Sequence, residues 1–189
     1  VLRFDNIRKP EILVNLLKAI ALQLGNEVSF RELSNLLKVS VETVQRYLYM
    51  LEQSFVLFSL GSFSRNLRNE LTRSRKYYFY DTGIRNSLIA NFNFSENRTD
   101  IGGLWENYCI AERLKYNQAM ERGVNIYFWR TYQQKEIDLI EESGGKLSAF
   151  EFKWGHIRVK APKSFLESYP DATYQVIHRE NFFEFVGVE

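Results

Sequence analysis

Cysteine is nearly missing from this sequence, with Cys109 the single residue of its type among 189. An internal disulfide is thereby excluded, and with only two histidines, His156 and His178, no Cys/His spacing suggests a structural zinc site. A reducing, cytoplasmic setting fits. Long apolar runs are missing too: none approaches the ~20 residues needed to span a bilayer, so no membrane partner is expected. The opening VLRFDNIRKP has neither an initiator Met nor a secretory leader pattern, and the expectation is a fragment of a longer protein. Repeats, low-complexity tracts and long linkers are also absent. What remains is 45% hydrophobic and 15% aromatic, enough to bury a core in one larger or two small domains.

The net charge of +2 says little about partners, but its distribution says more. Residues 1–100 hold fourteen Lys/Arg against ten Asp/Glu, whereas residues 101–189 hold eleven against thirteen. The two halves are therefore suited to different work.

From Pro10 to Leu24, Ile12, Leu13, Leu16, Leu17, Ile20 and Leu24 recur at helical spacing behind a proline suited to a first turn. Ser29 with Glu32 forms a capping-box pattern opening a short helix, Arg31 to Leu37, and Val39-Ser40 reads as a turn. Val41 to Leu51 then sets Val44, Tyr47, Leu48 and Leu51 on one face. Two strand-like runs, Phe55 to Leu60 and Lys76 to Tyr80, flank a polar, Arg-rich connection. Three helices followed by a two-stranded ribbon is the order of a winged helix-turn-helix.

In such a domain the third helix enters the major groove, and its outer face offers Ser40, Glu42, Thr43, Gln45, Arg46 and Tyr49. Gln45 and Arg46 suit bases or phosphates, while Glu42 opposes them. The connection SFSRNLRNELTRSRK carries Arg65, Arg68, Arg73, Arg75 and Lys76 against Glu70, a density suited to salt-sensitive phosphate contact. The alternatives left open are a solvated loop and a winged helix used for protein contacts. Asp81 or Thr82 reads as the N-cap of a following helix. Asn91 to Gly103 is the best candidate domain boundary, giving domains 1–98 and 99–189.

Leu104 to Tyr116 is helical in pattern, with Glu106 in its expected first turn, where a carboxylate favours the helix dipole. Strands are expected at Asn125 to Arg130, Glu136 to Glu141, Lys146 to Lys153 and Thr173 to Ile177, with a helix near Lys160 to Ser168. A final apolar run, Phe182 to Val188, reads as an edge strand. Strict alternation points Glu136 and Asp138 one way and Ile137 and Leu139 the other, while Glu151 and Lys153 share a face. Pairing these strands across Ser143-Gly144-Gly145 brings Asp138 beside Glu151 and Lys153. Two close carboxylates repel unless one shifts its pKa or both share a cation, for which magnesium is the natural choice. The competing reading is a solvent-facing hairpin with weak surface ion pairs. His156 and His178 read as strand-end residues, and Tyr77 to Tyr80 with Tyr127, Phe128 and Trp129 read as core rather than as base-stacking platforms.

In order, Glu106 in GGLWENY, Asp138 in KEIDLI and Glu151-Phe152-Lys153 in FEFKW resemble the PD-(D/E)xK, or restriction-endonuclease-like, nuclease superfamily. Nearly the whole chain, including YFYDTGIRNSL and YFWRT, resembles the C-terminal module of a bacterial and archaeal AAA+ ATPase family that carries a domain of unknown function. The fold class so implied is α/β in the broad sense (α+β): a winged helix-turn-helix, then a small mixed sheet flanked by helices. The resemblance further implies an N-terminal ATPase domain, the only place ATP would bind, since no GxxxxGK[ST] occurs here. It implies Asp138 and Glu151 as ligands of Mg²⁺, with Mn²⁺ as substitute and the Phe152 carbonyl as a third donor. Lys153 would position the attacking water and Glu106 would approach the metal or its water. Lys135-Glu136-Ile137-Asp138 lacks the proline that names the motif. The implied partners are nucleic acid, DNA above RNA, the ATPase domain and further copies of the chain. Phosphodiester hydrolysis and a non-catalytic binding or assembly role both stay open, because such scaffolds persist without activity.

Overall fold

The computed structural model describes residues 10–64 and 75–188. Of the basic positions expected to touch phosphate, Arg65, Arg68 and Arg73 lie outside these residues. The chain has a mixed α/β architecture, with seven α-helices and seven strands among the described residues. The strands are hydrogen-bonded in the order Glu27–Val28, Arg75–Phe79, Leu57–Ser62, Asn125–Arg130, Glu136–Ser143, Lys146–Phe152 and Thr173–Ile177. No described helix is long and apolar enough to cross a membrane.

The chain divides into two compact units, the first holding described residues 10–59 and 75–97 and the second residues 60–64 and 98–188. In the first, α1 (Pro10–Leu22) starts on its proline and buries Leu16, Ile20 and Ala21. A short β1 (Glu27–Val28), which alternation is too brief to reveal, precedes α2 (Phe30–Leu37) and α3 (Val41–Gln53). Ser29 Oγ accepts the Glu32 N–H and Ser40 Oγ the Thr43 N–H, so each helix begins on a serine cap. Between them Lys38 takes the left-handed conformation, φ 54°, and its N–H closes on Ser34 O. Val44, Tyr47, Leu48 and Leu51 are buried on α3, as their spacing requires.

β2 (Leu57–Ser62) and β3 (Arg75–Phe79) follow, with β3 antiparallel to β1. Tyr78 and Phe79 are fully buried, and the Phe58 and Tyr78 rings stack at 5.6 Å. Lys76 is fully buried as well, opposite Glu27 of β1, so it is not a phosphate-facing residue. Asp81 caps α4 (Thr82–Leu88), accepting the Gly83 N–H at 2.6 Å, and the buried Arg85 Nε donates to Ala21 O at 3.0 Å.

The second unit is built on β4 (Asn125–Arg130), β5 (Glu136–Ser143), β6 (Lys146–Phe152) and β7 (Thr173–Ile177). β5 is antiparallel to both neighbours, β6 and β7 run parallel, and Gly61 and Ser62 at the end of β2 pair in parallel with β4. The two-residue turn Gly144-Gly145 has φ +56° and +79°, the double left-handed geometry that a tight hairpin needs and glycine supplies. One core cluster joins Phe63, Trp129, Ile137, Ile140, Leu147, Ala149 and Phe165. Phe165 comes from α6 (Lys163–Ser168), the crossover between the parallel strands, and its burial is worth ~1.5–3 kcal/mol.

α5 runs Ile101–Ala119, three residues earlier than its periodicity suggests. Glu106 therefore falls in its second turn, where a helix-dipole role is weaker. Tyr108 is 38% exposed, whereas Trp105, Cys109 and Ile110 are buried. The final apolar run is not an edge strand: Phe182–Phe185 is a helical turn, α7. Phe182 and Phe185, three apart, are buried together while Phe183 faces out, which is helical rather than strand spacing.

Candidate functional site

Asp138 stands at an irregularity in β5. Tyr127 pairs with Ile140 but Trp129 pairs with Ile137, so Asp138 and Leu139 together face Phe128 alone. Two residues against one is a β-bulge, which re-aims side chains and breaks strict alternation. Its effect is visible in the core, where Ile137 and Ile140 share one cluster although period-2 parity sets them on opposite faces. The assignment of Ile137 and Leu139 to one common face is thus corrected.

The Asp138 carboxylate is buried and its Oδ2 accepts the Phe152 N–H at 2.8 Å. Phe152 lies between Glu151 and Lys153, so this bond ties Asp138 to the centre of the Glu-Phe-Lys triplet. Lys153 Nζ donates to Glu151 Oε1 at 2.6 Å, with Glu151 the more enclosed partner. The Lys153 N–H donates to Ile177 O at 2.9 Å, anchoring the end of β6 to β7.

Burial alone would lower the Lys153 pKa, but the hydrogen bond and charge of Glu151, then the charges of Asp138 and Glu106, hold it above the usual lysine value. Three carboxylates thus act on one ammonium, which stays protonated and cannot serve as a base. Cys109 belongs to the same neighbourhood: burial first, then Glu106 and Asp138, push its thiol far up, so it is no nucleophile.

Tyr174 of β7 is a residue that sequence reasoning passed over. Burial and the charges of Glu151 and Asp138 raise its pKa, and its enclosed hydroxyl makes no hydrogen bond among the described residues. Its only sequence signal is a place on the strand next to FEFKW, opposite Ala149. Glu151 also lines a cavity of about 700 Å³ with Lys135, Lys160, Lys163, Gln134 and Ser164. Glu136 and Glu167 line it as well, so its three ammonium groups are matched by three carboxylates.

On the first unit, Gln45 and Arg46 are exposed on α3, with the Arg46 guanidinium 5.5 Å from the Tyr47 ring centre. Exposed Arg75 donates through Nη1 to Ser59 Oγ at 3.2 Å.

Residues 1–95 match the family described as a domain of unknown function (DUF8612). The chain belongs to the DUF8612 family. Residues 101–186 of this DUF8612 member match a second domain of unknown function (DUF4143). The chain is similar to two uncharacterized proteins, Rv2008c of Mycobacterium tuberculosis and Mb2031c of Mycobacterium bovis. Each is 32% identical over 131 residues, which is 68% of this chain and 29% of the relative. The chain thus spans under a third of the length of the curated relatives it matches. No solved structure matches it.

Proposed function

We propose that this DUF8612 member is a nucleic-acid-binding module whose second unit cleaves phosphodiester bonds at Glu106, Asp138, Glu151 and Lys153. The observation that carries the reading is the Phe152 N–H bound to Asp138, which locks the acid of β5 onto the residue separating Glu151 from Lys153. The donor set fits a hard divalent ion: carboxylate oxygens of Asp138 and Glu151 suit Mg²⁺ or Mn²⁺, whereas no thiolate or imidazole belongs to this group. When bound, such an ion polarises the phosphate and lowers the pKa of a water. The chain's own contribution is positional. Asp138 and Glu151 set the negative charge, Lys153 stays cationic to orient a water or offset charge building on the phosphate, and Glu106 adds a carboxylate from α5.

The helix order of the first unit, with α3 presenting Gln45 and Arg46, supports a winged helix-turn-helix that holds DNA. The remaining length of the relatives leaves room for the AAA+ ATPase domain, where ATP would act, and for assembly through it.

A second reading, in which both units bind without cleaving, is favoured by the closed Glu151–Lys153 ion pair, which satisfies both charges without a ligand. Cleavage of labelled single- and double-stranded DNA and RNA with Mg²⁺ or Mn²⁺ separates the two. The expected result is cutting that Glu151→Ala and Lys153→Ala each reduce by ~10²-fold or more. Equal traces for wild type and both variants would sink the nuclease reading and advance the binding one.

A further inference from the structure

The two histidines, 22 positions apart and without a metal-ligand spacing in the sequence, meet in the folded chain. Ligand atoms of His156, His178 and Glu180 all lie within 4.8 Å of one another. His156 Nδ1 is 3.2 Å from Glu180 Oε2 and His178 Nδ1 is 3.9 Å from the same oxygen. The geometry points to a binding site for a divalent transition-metal ion, of which zinc is the first candidate, formed by His156, His178 and Glu180.

Five features carry this. Ligands held about 2.0–2.2 Å from a tetrahedral zinc ion stand about 3.3–3.6 Å apart, so side-chain rotation alone closes the observed spacings. The mobile partners are the exposed ones: the His156 and Glu180 side chains are 59% and 74% exposed, against 15% for His178. The His178 end is clipped in place, because its N–H donates to Asn181 Oδ1 at 2.8 Å and Asn181 Nδ2 returns to Val176 O at 2.9 Å. His156 follows a tight turn in which the Ile157 N–H donates to Gly155 O at 2.9 Å. The Glu180 N–H donates to His178 Nδ1 at 3.3 Å, a long hydrogen bond that a metal bond can replace.

The donor chemistry sets the ion class. Two imidazoles and one carboxylate favour Zn²⁺, Co²⁺, Ni²⁺ or Fe²⁺ over Mg²⁺ and Ca²⁺, which take oxygen ligands. Three protein ligands leave a coordination position open to water or a further ligand. The site uses none of the residues assigned to phosphodiester cleavage and stands whether or not that reading does.

The test is a titration of the metal-free 189-residue chain with Co²⁺, followed by visible ligand-field absorption and by displacement with Zn²⁺. Expected is a saturable band from one ion per chain, weakened ~10-fold or more in His178→Ala and in Glu180→Gln and lost in the His156→Ala/His178→Ala double variant. Glu151→Gln leaves the band unchanged. Far-UV circular dichroism checks each fold, and the exposed His156 and Glu180 keep the test decisive if His178→Ala unfolds. Absence of a band, or a band of equal strength in His156→Ala and Glu180→Gln, would overturn the proposal.

Discussion

Glu141 is buried in the second unit and stays charged because of its partners. It accepts Arg113 Nε at 2.7 Å, Arg113 Nη2 at 2.8 Å and Asn117 Nδ2 at 2.6 Å. Burial pushes its pKa up, but those hydrogen bonds and the charges of Arg113 and Arg122 outweigh it, leaving the pKa below the usual 4.5. A carboxylate depressed on folding stabilises the fold above its unfolded pKa and loses that contribution as pH falls through the folded one. Urea melts at about pH 7 and about pH 3.5 are therefore expected to show a smaller acid loss for Glu141→Gln than for wild type. Arg113→Ala is expected to cost about 3–5 kcal/mol at neutral pH, since it leaves a buried carboxylate unpaired. Single residues were unevenly legible in the sequence. Glu106, Asp138, Glu151 and Lys153 could be picked out because their order and strand context resemble a known pattern. Lys76 could not be read as buried, because its partner strand β1 is only two residues long. Tyr174 carries only its place on the strand beside FEFKW, since the charges of Glu151 and Asp138 act on it through the folded sheet.

At the scale of elements, the helices of the first unit were legible because caps and spacing agree: Ser29 and Ser40 mark the starts of α2 and α3, and the α3 apolar face repeats at helical intervals. Two elements escaped for physical reasons. The bulge at Asp138-Leu139 depends on how β4 pairs with β5, and one strand's sequence does not contain it. α7 is a single turn, too short for periodicity to separate it from a strand. Its end is specified by Gly187, with φ +70°, whose N–H donates to Glu184 O at 3.1 Å. A Cβ at this position would stand 2.6 Å from the Tyr116 hydroxyl and closer still to its ring. Tyr116 is itself enclosed by Arg113 and Arg122, at 5.4 and 5.6 Å from its ring centre, so its retreat is resisted. Gly187→Ala is therefore expected to destabilise the fold by ~1–3 kcal/mol, read as a lowered midpoint in thermal or urea melts. An unchanged midpoint would mean that Tyr116 swings away without cost.

For the whole molecule, the chain's two compact units are expected to divide the labour of holding and cutting. Under the proposed function, the basic excess of residues 1–100 and the exposed Gln45 and Arg46 would serve holding, and the carboxylates and Lys153 would serve cutting. Such a division has a signature that neither unit acting alone would give. Arg46→Ala removes the charge of an exposed side chain that stands 5.5 Å from the Tyr47 ring centre, a change expected to leave the fold intact and to act on affinity. Binding of a labelled duplex is expected to weaken, and the slope of log K against log salt to shrink by about 1 for the lost phosphate contact. Glu151→Ala should do the opposite, preserving affinity and its salt slope while abolishing Mg²⁺-dependent cleavage. Fluorescence anisotropy across a salt series, run beside the cleavage assay on the same three proteins, reads both arms. Should Arg46→Ala leave affinity and slope untouched while Glu151→Ala weakens both, nucleic acid is held by the second unit and α3 serves another partner.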